Sequence, residues 1–166
     1  MKSLEYQERQ HLLKQMKTNL KKFFRSFGYA FNGISHAVMT QRNLRFHIVT
    51  MVFVLILSSF YELSNMQYAL LFLTFSSVIV CELINTAIEA VVDLCSPEYQ
   101  KLAKTAKDTA AGAVLVSAVF SVVIAVYYFW NMEVFSRIGM FFCGNIPALI
   151  GIIVLALISF VFIFIK

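Results

Sequence analysis

The chain has 166 residues, of which 60% are hydrophobic and 14% charged, and its formal net charge is +5. Soluble domains carry about 25% charged residues, so this chain lacks the polar surface to coat a soluble domain, and lipid is the solvent its composition calls for. Most of the positive charge lies in the first 45 residues, a basic flank that suits an anionic membrane leaflet better than a nucleic acid.

Residues 1–22 read as a polar extension. Over 20–38, aromatic and aliphatic residues (Phe23, Phe24, Phe27, Phe31, Ile34, Val38) recur at threes and fours among lysines and Arg25. That spacing predicts an amphipathic helix lying in the membrane interface. A helix packed on the cytoplasmic ends of a bundle is a compatible alternative. The first forty residues hold no early apolar core, which argues against a cleavable signal peptide. His36, on this stretch, reads as an interfacial histidine. Cys81, Cys95 and Cys143 are odd in number and far apart, which predicts free thiols and neither disulfide nor zinc site.

A spanning helix needs about 20 apolar residues. Four candidates follow: 46–61, which is short, 66–92, 109–130 and 146–165, the last with Pro147 in its first turn. The 62–65 turn has no Lys or Arg, the loop after the second span carries Lys101, Lys104 and Lys107, and the connection after the third has only Arg137. The excess of Lys and Arg on cytoplasmic segments then places the N-terminus, the 95–107 loop and the C-terminus in the cytoplasm. Tyr127, Tyr128 and Trp130 read as an interfacial belt.

The second span carries Glu82, Asn85, Glu89 and Asp93. At 100° per residue these fall within an arc of about 80°. An acid near the bilayer midplane costs at least ~2.5–3.5 kcal/mol, so the stripe needs cations, metal, protonation or a wet cleft to relieve it. The alternative is a stripe that only joins helices, although such joints are more often Ser, Thr or a single Asn. Lys101, Lys104 and Lys107 follow at intervals of three, with Asp108 at the entry of the third span. Carboxylates that hold Mg²⁺ beside lysines that neutralise phosphate fit a polyphosphate. An ordinary positive-inside loop also accounts for Lys101 and Lys104. No GxxxxGK[ST] or GxGxxG occurs, which excludes a P-loop or Rossmann nucleotide site.

ELINTAIEAVVD (82–93) with AKTAKDTAAGAV (103–114) resembles the prokaryotic diacylglycerol kinase / undecaprenol kinase family, and GYAFNG (28–33) and RNLRFH (42–47) are similar to its N-terminal part. The likeness covers roughly Phe23 to Trp130, and its wording is nearer to the undecaprenol kinases. The resemblance implies an all-α integral membrane protein with a surface helix, three spanning helices and a homotrimer with sites between subunits. It also implies ATP and Mg²⁺ as cofactors and a lipid alcohol as substrate. The family pattern makes Glu82 the general base and Glu89 a Mg²⁺ ligand. Asn85 and Asp93 would order the nucleotide, Lys107 and Asp108 would meet its phosphates and adenosine end, and Lys22, Tyr29, Glu98 and Tyr99 would add further nucleotide contacts. Arg45 and His47 would lie towards the substrate.

Two departures stand out. The family usually has a metal-binding glutamate just before the RN element, where this chain has Gln41. The family also usually ends after the third span, so residues 131–166 read as an additional fourth helix used for packing or partner contact. The expected organisation is 1–22 as extension, 23–130 as lipid kinase domain and 131–166 as the added segment. The leading expectation is phosphorylation of undecaprenol at the cytoplasmic side of the bacterial cell membrane. Diacylglycerol is the near alternative, and an inactive relative or a cation-binding membrane protein the more distant one.

Overall fold

The computed structural model describes residues 2–96 and 100–165, with side chains from residue 13 onward. It is all-helical, with no strand among the described residues: α1 (Lys2–Thr40), α2 (Arg42–Ser58), α3 (Asn65–Cys95), α4 (Lys101–Phe129), α5 (Met132–Gly144) and α6 (Ile146–Phe164). The described residues form two compact units, Met1–Ala37 and Val38–Lys166.

In the first unit the polar extension and the amphipathic stretch are one continuous helix. Phe23, Phe24, Phe27 and Phe31 are all exposed. Phe23 and Phe27 stack edge to face at 5.0 Å.

In the second unit, α3, α4 and α6 are long and apolar enough to cross a bilayer, with mean hydropathy 1.8, 2.4 and 3.0. Their large apolar side chains, among them Phe72, Leu73, Val119, Phe120, Val154 and Leu157, point outward, the arrangement lipid requires. Helix α2 differs from its expected span. It begins at Arg42 and ends at Ser58, so at 1.5 Å per residue it is about 26 Å long, below the ~30 Å hydrocarbon thickness. A bilayer meets such a helix by thinning locally.

Caps fix the register of the long helices. Ser64 closes a capping box with Gln67 at the start of α3. The far end of the bundle is tied together by Tyr61, whose hydroxyl donates to the Phe129 carbonyl at 2.6 Å while its ring meets Phe129 edge to face. Burial pushes the Tyr61 phenol up, against the opposing pull of Arg137, so it donates as a neutral group.

Residues 131–166 are two helices where the sequence predicts one. Asn131 caps α5, its side chain accepting from the Glu133 and Val134 N–H groups, Asn145 caps α6, accepting from the Ala148 N–H, and Pro147 sits in the first turn of α6. Phe141 and Phe142 of α5 pack on Phe60. Helix α6 packs along α2, with Phe164 under the Arg42 guanidinium at 5.9 Å. The end of α6 thus meets the start of α2. A methyl group added at Gly139, Gly144 or Gly151 would meet nothing within the chain.

Candidate active site

Helix α3 has 31 residues, about 46 Å, against a hydrocarbon core of about 30 Å. Its apolar half starts at Asn65. Glu82 then lies about 25 Å along, and Glu89 and Asp93 lie about 36 and 42 Å along. Counted from Asn65, Glu82 thus lies past the midpoint of a hydrocarbon length and Glu89 and Asp93 beyond its far edge, so the acids gather towards one end of α3.

The stripe is graded in depth. Glu82 is 2% exposed and Asn85 9%, Glu89 is half-buried and Asp93 is exposed. Asn85 Nδ2 donates to Glu89 Oε1 at 2.9 Å, one turn apart on the same face. Asp93 reaches across to α4, where Lys107 Nζ donates to its Oδ1 at 2.5 Å. The fourteen-residue spacing of that pair, visible in the sequence, is the turn between two antiparallel helices. Asp108, next to Lys107, is exposed.

Helix α2 supplies the facing wall. His47 Nε2 lies 3.5 Å from Glu82 Oε1. Asn43, one turn before His47, lines a cleft of about 260 Å³ with His47, Glu82 and Asn85 from α3, and Ala111, Val114, Leu115 and Ala118 from α4. Asn43 had no assigned part in the sequence reading, and the signal that could have found it is its (i, i+4) spacing to His47. A second, apolar cleft shares His47 and Ala118 with the first and continues between Met51, Phe75, Val78 and Val122. A hydrocarbon chain and a polar headgroup can thus be accommodated end to end.

Arg45 is 7% exposed and its Nη1 donates to the Met39 carbonyl at 3.0 Å. Its charge meets a carbonyl of the last turn of α1, within the second unit, where cations are favoured. Gln41 is the N-cap of α2 and makes no capping bond through its side chain. Among the described residues no hydrogen bond joins Gln41 to Glu89. Tyr29 and Lys22 belong to the first unit. There Arg25 Nη2 donates to the Tyr29 hydroxyl at 2.9 Å, and the Lys22 carbonyl accepts from Ser26. Glu98 and Tyr99 lie outside the described residues. The three cysteines are free.

The oxygen donors fit a hard cation. Asn85 Oδ1 is buried without a hydrogen-bond partner, beside the Glu89 carboxylate. Among the described residues no cluster of three or more His, Cys, Asp or Glu occurs. The fit to Mg²⁺ rests on the Glu89 carboxylate and the Asn85 amide oxygen alone, since this cation takes one or two carboxylates and completes its shell with phosphate and water.

Fold and site define a class: a small, all-helical, multi-pass membrane enzyme whose polar side chains converge at one end of its bundle. The sequence model of "Prokaryotic diacylglycerol kinase" matches residues 28–129, more than half of the chain, and the chain belongs to that family of lipid kinases, which use ATP as phosphate donor. It is 42% identical over 116 residues to an undecaprenol kinase of Bacillus subtilis, covering 70% of this chain and 94% of that one. It is 48% identical over 100 residues to a diacylglycerol kinase of Synechocystis, covering 60% of this chain and 57% of the relative. A diacylglycerol kinase of Escherichia coli is 26% identical over 114 residues, covering 69% and 93%.

Proposed function

We propose that the protein transfers the γ-phosphate of ATP to the hydroxyl of undecaprenol at the cytoplasmic face of the bacterial cell membrane. The observation that carries this reading is Glu82, a carboxylate 2% exposed where a polar cleft meets an apolar one. A lipid alcohol with its chain in the apolar cleft brings its hydroxyl to that carboxylate. Glu82 accepts the hydroxyl proton as the lipid oxygen attacks the γ-phosphorus in line. Most of the remaining work is positioning and charge neutralisation.

Lys107 and Asp108 meet the phosphates and the adenosine end of the nucleotide, and Asn85 and Asp93 order it. In this reading the Asp93–Lys107 pair of the structure holds the lysine in place until phosphate competes for it. Lys22, Tyr29, Glu98 and Tyr99 add nucleotide contacts on the family pattern. Arg45 and His47 lie on the acceptor side. Glu89, with Gln41 and the unpartnered Asn85 oxygen, would hold Mg²⁺, which when bound neutralises phosphate charge. The kinase domain is residues 23–130, and the family pattern makes it a homotrimer.

Undecaprenol is preferred because the Bacillus subtilis relative named for it aligns over nearly its whole length. Diacylglycerol is the second reading, favoured by the Synechocystis relative. The test is competition: purified protein in mixed vesicles receives labelled ATP with undecaprenol and diacylglycerol in equal amounts. Undecaprenyl phosphate as the main product supports the reading, and phosphatidic acid as the main product replaces it with the second.

A further inference from the structure

Glu82 faces a problem that the transfer step does not solve. Once it has taken the hydroxyl proton it must lose it before the next turnover, and its side chain is only 3% exposed. Its Oε1 is buried with no hydrogen-bond partner among the described residues. One titratable side chain points at that oxygen: His47, at 3.5 Å. This is the long edge of hydrogen bonding, too long for a formed bond, and catalytic contacts of this kind tighten when substrate binds. The His47 side chain is 20% exposed, so it spans the gap between a sealed carboxylate and the outside.

Among the described residues, the other elements around His47 offer no rival. The residues of α4 that line the cleft are Ala111, Val114, Leu115 and Ala118. Helix α6, packed on α2, carries no ionisable side chain. On α3 the next acid is Glu89, two turns from Glu82 and bonded to Asn85. On α2 itself Arg45 is turned to the Met39 carbonyl.

We propose that His47 is the proton outlet of Glu82, a relay that acts through the base and resets it in each cycle. The inference rests on the lipid kinase reading. The lipid O–H bond breaks and its proton goes to the Glu82 carboxylate. The lipid oxygen bonds to the γ-phosphorus, the bond from that phosphorus to the bridging oxygen breaks, and ADP leaves with the electron pair. The Glu82 proton then passes to Nε2 of neutral His47 and the Nδ1 proton leaves to solvent, which frees the Glu82 carboxylate; the imidazole, now the Nε2–H tautomer, regains its starting form by exchanging protons with solvent. Neutral imidazole has one donor and one acceptor nitrogen, which is what such a transfer needs.

The experiment compares wild type, His47→Ala and His47→Gln in vesicles, with and without added imidazole. The relay expects kcat of both variants to fall by roughly ten- to a hundredfold, less than loss of the base itself, with KM for ATP unchanged. Imidazole restores His47→Ala, and His47→Gln stays low because an amide cannot carry the proton. Wild-type turnover in His47→Gln, or no rescue of His47→Ala, overturns the relay. A second readout needs no turnover: the Nε2 resonance of His47 in nitrogen NMR moves on Glu82→Gln and stays in place on Asp93→Asn. A His47 resonance indifferent to Glu82→Gln overturns the pairing. A responsive resonance in a protein that labels no lipid alcohol keeps the pairing and discards the kinase reading.

Discussion

Helices α3 and α6 both carry enough apolar length to cross a bilayer, yet α3 brings Glu82, Asn85, Glu89 and Asp93 with it and α6 brings no ionisable side chain. The difference is informative because lipid is an undemanding solvent for apolar side chains. A run such as that of α6 satisfies the bilayer and specifies little else, and it buries no residue within the chain. A carboxylate in the same setting must be relieved by something. On α3 each polar residue has a counterpart: Glu82 faces His47, Asn85 bonds Glu89 and Asp93 pairs with Lys107. The polar end of α3 is therefore organised across three helices, while α6 packs on α2 and α5.

The contrast can be broken most forcefully at its deepest acid. Glu82→Gln keeps size and hydrogen bonding and removes the base, so turnover should fall by roughly two to four orders of magnitude, with folding and ATP binding intact. Activity within a few-fold of wild type would remove Glu82 from the chemistry.

Lys107→Met comes next. The Asp93–Lys107 pair is exposed, and exposed pairs contribute about 0–1 kcal/mol, so thermal stability should barely change. The loss should appear as a KM for ATP raised by about tenfold, the equivalent of ~1.4 kcal/mol of phosphate binding. A lowered melting temperature with unchanged KM would make the pair structural.

Gln41→Glu sharpens the metal side. A carboxylate is a better Mg²⁺ ligand than an amide, so the Mg²⁺ concentration for half-maximal rate should drop. The added acid should also make the variant less stable in EDTA, through repulsion from Glu89. Identical metal dependence in rate and in melting would place Gln41 away from the metal.

The smallest effect is expected from α6. A chain ending after Trp130, just past the family match, should keep turnover within a few-fold. A collapse of activity in that protein, while it still folds, would mean that α5 and α6 contribute to the site and that the contrast is drawn in the wrong place.

Much of this was legible in the sequence because membrane helices announce themselves by apolar length. Helices α3, α4 and α6 followed from it, the carboxylate stripe from helical periodicity, and the free cysteines from their odd number and wide spacing. The chain's own periodicity could not show that His47 meets Glu82, because that contact depends on the relative register of two helices 35 positions apart in sequence. Nor could it show that Arg45 turns back to Met39. Helix α5 was missed because its 13 residues merge with α6 in a reading by apolar runs. The two asparagine caps that separate them were the available signal. The stripe's spread in depth was harder to read: apolar length sets the minimum span, whereas α3 is longer than the hydrocarbon and carries Glu89 and Asp93, though not Glu82, beyond its length.

The most direct test uses sealed vesicles in which the cytoplasmic face of the protein is turned outward. γ-Labelled ATP is supplied outside, with undecaprenol in the bilayer. The account expects labelled undecaprenyl phosphate at once, and only background label when the opposite face is turned outward. No labelled lipid from any lipid alcohol, or label only when ATP reaches the opposite face, would contradict a kinase site at the polar end of α3.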